Sequence, residues 1–174
     1  MPTTYEAIAT VTVGSGGAAN MTFSSIPQTY TDLLIKISGR SAFTTNTYDD
    51  IRFEFNGSAG TAYTTRMIYG DGASALSTVT ANIGNIAWAF VSNANATANT
   101  FGNAEVYIPN YAGSTNKSVS LDSASETNGT TAIAALAAGI WANTAAITSI
   151  KMTNNSGTNF VQYSTATLYG IKNS

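Results

Sequence analysis

The chain has 174 residues with neither cysteine nor histidine, only 9% of them are charged, and its formal net charge is -2. That length suits a single domain, taken as residues 1–174, with enough core to fold without staples, and the missing cysteines exclude a disulfide framework and any thiolate metal site. Ordinary soluble domains carry roughly 25% charge, so this surface must be built from Ser, Thr, Asn and Gly. The bases Lys36, Arg40, Arg52, Arg66, Lys117, Lys151 and Lys172 are scattered. Nucleic acid, which needs a clustered basic face, is not an expected partner.

A membrane is not expected either. The longest mildly apolar stretch, Thr131 to Ile147, is alanine-rich, interrupted by Gly139 and Asn143, and too short and mild to span a bilayer. Met1 to Glu6 has no basic region or apolar core, so no signal peptide is expected, and the Asn-x-Ser/Thr triplets at Asn56 and Asn128 are read as chance.

In chain order, Tyr5 to Val13 alternates, with Ala7, Ala9, Val11 and Val13 on one side and Ile8 on the other. Gly14 to Gly17 reverses the chain into a partner strand, Asn20 to Phe23. No helix pattern and no suitably spaced lysine follow, so these glycines are a turn and not a phosphate loop. Thr31 to Ser41 carries Leu33, Ile35 and Ile37 inward, and Asp50 to Phe55 does the same with Ile51, Phe53 and Phe55. Asn56-Gly57 is a tight turn. Tyr63 to Tyr69 is a weaker strand ended by Gly70 to Gly72, and Asn85 to Val91 is extended with Ile86, Trp88 and Phe90 on one side.

Ser92 to Thr100 reads as a loop. Ala104 to Ile108 and Lys117 to Asp122 then form an antiparallel hairpin around the turn formers of Pro109 to Asn116. Thr127 to Thr130 turns the chain again. Ile133 to Trp141 fits either a helix, by the spacing of Ile133, Leu136 and Ile140, or a strand, by Gly139 and Trp141; strand is the expectation. Ile147 to Met152 and Phe160 to Ile171 complete about ten short strands with turns at sandwich spacing. The expected fold is all-β: a two-sheet antiparallel β-sandwich, jelly-roll-like.

The chemistry is sparse. Without histidine, a serine triad lacks its usual base, and zinc and copper lose their best ligands. The carboxylates Asp49, Asp50, Glu54, Asp122 and Glu126 are read as solvated surface rather than a hydrolytic pair, with Asp49 and Asp50 explained by a turn. Calcium has two weak candidates, Asp49-Asp50 and Asp71-Gly72. Phe43, Tyr48, Tyr30 and Tyr111 fall in loops, where packing is the ordinary explanation and stacking on a sugar or anchoring a protein contact the functional one. No catalytic, cofactor-binding or metal-binding residue is expected, no cofactor is expected, and no interface residue is singled out.

Three segments resemble a known family. Thr97 to Tyr111 (TANTFGNAEVYIPNY), the opening Ala9 to Gly14 with Phe23 to Leu33, and the close Tyr163 to Ile171 are similar to small jelly-roll virion proteins of tailed phages, cyanophages among them. The similarity runs over nearly the whole chain and brings no catalytic motif with it. It implies a structural protein rather than an enzyme: a capsid decoration (cement) protein on the outer surface of the virion, with the major capsid protein and its own copies, as a homotrimer, for partners. The alternative is a tail or receptor-binding module that recognises a host surface glycan through loop aromatics such as Phe43, Tyr48 or Tyr111.

Overall fold

A computed structural model describes residues 4–129 and 131–172. The start of the N-terminal segment, Met1 to Thr3, and Thr130 of the last predicted turn lie outside the described residues. The described chain has twelve strands and no helix: β1 (Tyr5–Thr12), β2 (Asn20–Phe23), β3 (Asp32–Gly39), β4 (Tyr48–Phe55), β5 (Tyr63–Gly70), β6 (Ala75–Ile83), β7 (Ile86–Ser92), β8 (Gly102–Ile108), β9 (Lys117–Ser125), β10 (Ile133–Trp141), β11 (Ile150–Asn154) and β12 (Thr165–Ile171). They form two antiparallel sheets of unequal width, β1-β12-β3-β8-β9-β10-β5-β6 and β2-β11-β4-β7. The expected two-sheet β-sandwich is what the chain forms.

Strict alternation marks the strands that are buried on one side only. In β9, Lys117, Val119, Leu121, Ser123 and Ser125 face in, and in β10 Ile133, Ala135, Ala137, Gly139 and Trp141 do, so the ambiguous alanine-rich segment is a strand. The β8–β9 hairpin pairs as expected, with Val106 opposite Leu121 and Glu105 opposite Asp122. Strand β7 lies across the inner face of β3, β8, β9, β10 and β5. The approach is close: a Cβ on Gly102 would stand 2.7 Å from the Val91 backbone, and one on Gly139 would stand 2.7 Å from the end of Ile86. A single core results, including Phe53, Phe55, Tyr63, Phe160 and Trp141.

Four expectations are corrected. Residues 75–83, where no strand is predicted, form the edge strand β6; it extends beyond the narrow sheet, is buried on neither face and so leaves no alternation to read. The glycine turn leads from β1 to β2, but β2 pairs with β11 in the other sheet and is not the partner of β1. In β1 a bulge at Ile8 turns that side chain toward the core and leaves Ala7 and Ala9 exposed. In β7 the register shifts between Ile86 and Ala89, and Trp88 adopts φ 74°. Ile86 and Val91 therefore reach the core contacts with β10 and β8, while Phe90, also buried in the core, packs edge-on against Tyr48 at 5.3 Å and Trp88 is only half-buried.

The aromatic centre of the core holds two polar atoms, the Tyr63 hydroxyl and the Trp141 Nε1, and only the hydroxyl has a hydrogen-bond partner. Tyr63 stacks on Trp141 at 6.0 Å; its hydroxyl accepts a hydrogen bond from the Phe55 N–H at 2.9 Å and donates to the Phe55 carbonyl at 3.4 Å. Burial pushes this hydroxyl from the ordinary 10.0 up to about 12. Between those values the folded chain keeps a proton that the unfolded chain has lost, so rising pH favours unfolding; the Tyr63 contribution is whole below pH 10.0 and is lost as pH passes about 12. Urea unfolding across that window is expected to show stability falling more steeply for the wild type than for Tyr63→Phe, by about one proton. Equal slopes would assign the alkaline loss to other groups.

Candidate functional site

The two ends of the sandwich are loop clusters, and each is organised around a buried cation. At the first end, Arg40 follows β3 and is 9% exposed. Its Nη1 donates to the carbonyls of Thr97 and Thr100, at 2.9 and 2.8 Å, and its Nη2 to those of Ala94 and Ala96, at 3.3 and 3.0 Å. Among the described residues no carboxylate pairs with it. The planar fork with its five donors is suited to gathering several carbonyls at once. Loop 93–101, featureless in sequence, is shaped by this one side chain.

The neighbouring loop is tied to it. The Ala94 N–H donates to the Phe43 carbonyl at 2.9 Å, and Asn93 Nδ2 donates to the carbonyls of Thr45 and Tyr48 at 2.8 and 3.1 Å. This holds Phe43 and Tyr48, both half-buried, on the wall of a pocket of about 280 Å³ that Asp49, Asp50, Asn155 and Ser156 also line. Two of the four loop aromatics singled out in the sequence thus meet at one site.

The two acids there are not solvated surface; Asp49 and Asp50 are both buried and belong to β4, which corrects the turn reading. Asp49 Oδ1 accepts the N–H of Asp50 at 2.9 Å, and its Oδ2 accepts the Ser156 hydroxyl at 2.5 Å. Asp50 Oδ2 lies 2.7 Å from Arg52 Nε, a contact of charge rather than of hydrogen-bond geometry, and the Trp88 N–H on β7 also favours its charged form. Burial raises the Asp50 carboxyl above the usual range; Arg52 opposes that shift. Glu54, on the same strand, pairs with Lys151 at 3.6 Å, while Asp122 and Glu126 are exposed.

Tyr111 and Tyr30 belong to packing at the opposite end and beside it, so the suggested role of Tyr111 in a sugar pocket is corrected. Tyr111 is fully buried and its hydroxyl donates to the Pro27 carbonyl. Tyr30 covers Gly170, where a Cβ would stand 2.3 Å from its ring, and Lys172 sits 5.1 Å from the ring centroid. At this end Lys117 is 0% exposed and its Nζ donates to the carbonyls of Gly113, Thr115 and Thr144. Burial holds its ammonium below the ordinary lysine range. Loop 109–116 is further fixed by Asp32, which accepts the Tyr107 hydroxyl and the Asn110 N–H, each at 2.8 Å.

The remaining candidates are occupied by local structure. Asp71 Oδ1 accepts the N–H groups of Ala73 and Ser74 in a short turn. Among the described residues no group of three or more His, Cys, Asp or Glu is placed to hold a metal ion. Asn56 donates from Nδ2 to the Ala146 carbonyl and accepts the Thr148 N–H, so its amide is engaged in a loop contact. What the sequence could not reveal is the pair Arg40 and Lys117, because their partners are carbonyls that every residue possesses.

Compared with known protein families, with curated proteins and with solved structures, the chain matches none.

Removing the Arg40 guanidinium leaves four carbonyls without their donor. Arg40→Met is expected to cost about 3 kcal/mol in urea unfolding and to speed amide exchange first in residues 93–101. A loss of that size with exchange in this loop unchanged would mean that Arg40 acts elsewhere.

Proposed function

We propose that this chain is a structural protein of a tailed-phage virion: a capsid decoration protein that binds the outer surface of the capsid as a homotrimer and bridges neighbouring major capsid subunits. The observation that carries the reading is the outer face of the wide sheet. Ile68, Leu136, Val79 and Ile140 stand exposed there, beside an uncharged edge strand. A clustered apolar surface of this kind is what protein assemblies cover. The resemblance to phage virion proteins supplies the kind of assembly.

The mechanism in this reading is mechanical. A rigid body repeated by symmetry turns individually weak contacts into avidity and raises the cost of separating the subunits beneath it. Stiffness serves this role directly, and the carbonyl-anchored loops at both ends provide it. No residue performs chemistry in this reading. The expected result is a copy number in purified virions close to that of the major capsid protein. A few copies per particle would move the chain to the tail, and absence from the particle would overturn both placements.

A second reading is favoured by one observation, the meeting of Phe43 and Tyr48 with Asp49, Asp50, Asn155 and Ser156 in a single pocket. Aromatic faces beside carboxylates and amides suit a sugar ring, which offers C–H groups on one side and hydroxyls on its rim. A tail module that recognises a host surface glycan would bind there. In that case glycan-array binding is expected and is lost in Tyr48→Ala; binding that persists in this variant would exclude the pocket.

A further inference from the structure

We infer that the outer face of β9, β10, β5 and β6 is where one copy of this chain packs against another. The face is continuous across the register. Leu136 on β10 stands opposite Ile68 on β5, which stands opposite Ser77 on β6; in the adjacent row Ala138, Arg66 and Val79 are aligned in the same way. Ile68 is 60% and Leu136 58% exposed, with Val79 at 50%. Shallow grooves run on either side of the ridge that Ile68 and Leu136 make.

The edge next to this face is the least protected of the four sheet edges. Strand β1 carries Glu6 and a bulge at Ile8, β2 is only four residues long, and β7 is bulged at Trp88. Bulges, charges and short length are the usual means of keeping an edge from pairing. By contrast β6 runs Ala75 to Ile83 with no proline and no charge; it too is bulged, but only near its end at Asn82, and its register with β5 is regular from Ala75 to Ala81. An edge and a face left open side by side form one contact surface.

A second copy fits this surface on two counts. The first is charge. Its flanking charges are Arg66 on β5 and Asp122 on β9, on opposite sides of β10. A copy turned about an axis along β10 lays β5 over the other copy's β9, with Arg66 over Ser120 and Ile68 over Asp122, so each Arg66 stands one row, about 7 Å, from an Asp122 and no like charges are opposed. The second is area. Four strands about 4.8 Å apart, each presenting about 25 Å of length, give a flat footprint of roughly 500 Å². Side-chain relief raises this toward the roughly 800 Å² per partner of a stable contact.

A two-fold contact of this kind makes a pair and not a trimer, so this inference shares with the assembly reading only the requirement that copies of the chain associate. The test uses purified full-length protein without capsids. Light scattering during size exclusion at tens of micromolar is expected to give a whole multiple of the 18.0 kDa chain. The double variant Ile68→Lys, Leu136→Lys is expected to run as a single chain, its self-affinity weakened by roughly a hundredfold or more, with the far-ultraviolet spectrum and melting cooperativity of the wild type. Tyr163→Lys, exposed outside this face, is the control and should keep the wild-type mass. A wild type that is a single chain overturns the inference, as does a folded double variant that keeps the larger mass. Self-association by a chain absent from virions would sink the capsid reading and leave this one standing; a single chain abundant on virions would do the reverse.

Discussion

The loops at both ends of the sandwich depend on buried cations that have no carboxylate counter-ion among the described residues. Arg40 and Lys117 are each surrounded by main-chain carbonyls, seven in all between them. A carbonyl is only a partial charge, but several converging on one donor group can offset much of what burial costs. The arrangement converts loops of Asn, Ala, Thr and Gly, which have little apolar surface to bury, into parts of the folded body. Everything positioned on those loops, including the Phe43–Tyr48 pocket, inherits its geometry from them.

The inequality of the sheets has a different effect. Eight strands cannot be covered by four, and strand β7, crossing the middle of the wide sheet, covers chiefly its centre. The wings on either side are left with less to pack against. On the β1 side the chain answers with Glu6, Thr10 and a bulge; on the β6 side it answers with Ala, Ser, Thr and exposed aliphatics. The two wings are therefore chemically different, and only one of them invites a protein contact.

How much of this was legible follows from what burial does to a sequence. Strands buried on one face, such as β4, β8, β9 and β10, print a period of two, and those were readable. Strand β6 is buried on neither face and printed nothing. At Ile8 and Trp88 one extra residue inverts the phase, so a correct strand carried the wrong set of inward side chains. At the candidate site, Phe43 and Tyr48 stood out as loop aromatics, but Tyr111 looked the same and is fully buried, because its exposure depends on a loop more than 80 residues away, where Pro27 accepts its hydroxyl. Asp49 and Asp50 looked like turn acids because their partners, Ser156 and the Trp88 N–H, come from distant segments.

The order in which the strands are made bears on how the domain can form. Strand β12 lies between β1 and β3 and, among the described residues, supplies the only sheet partner that β1 has. Strand β1 therefore cannot pair until the chain has been made through Thr165 to Ile171. Four of the seven pairings in the wide sheet join strands that are not consecutive in the chain, which slows folding and lengthens the time unpaired strands are exposed. Until β12 is made, β3 also keeps one edge open, a site where another unfinished chain could pair.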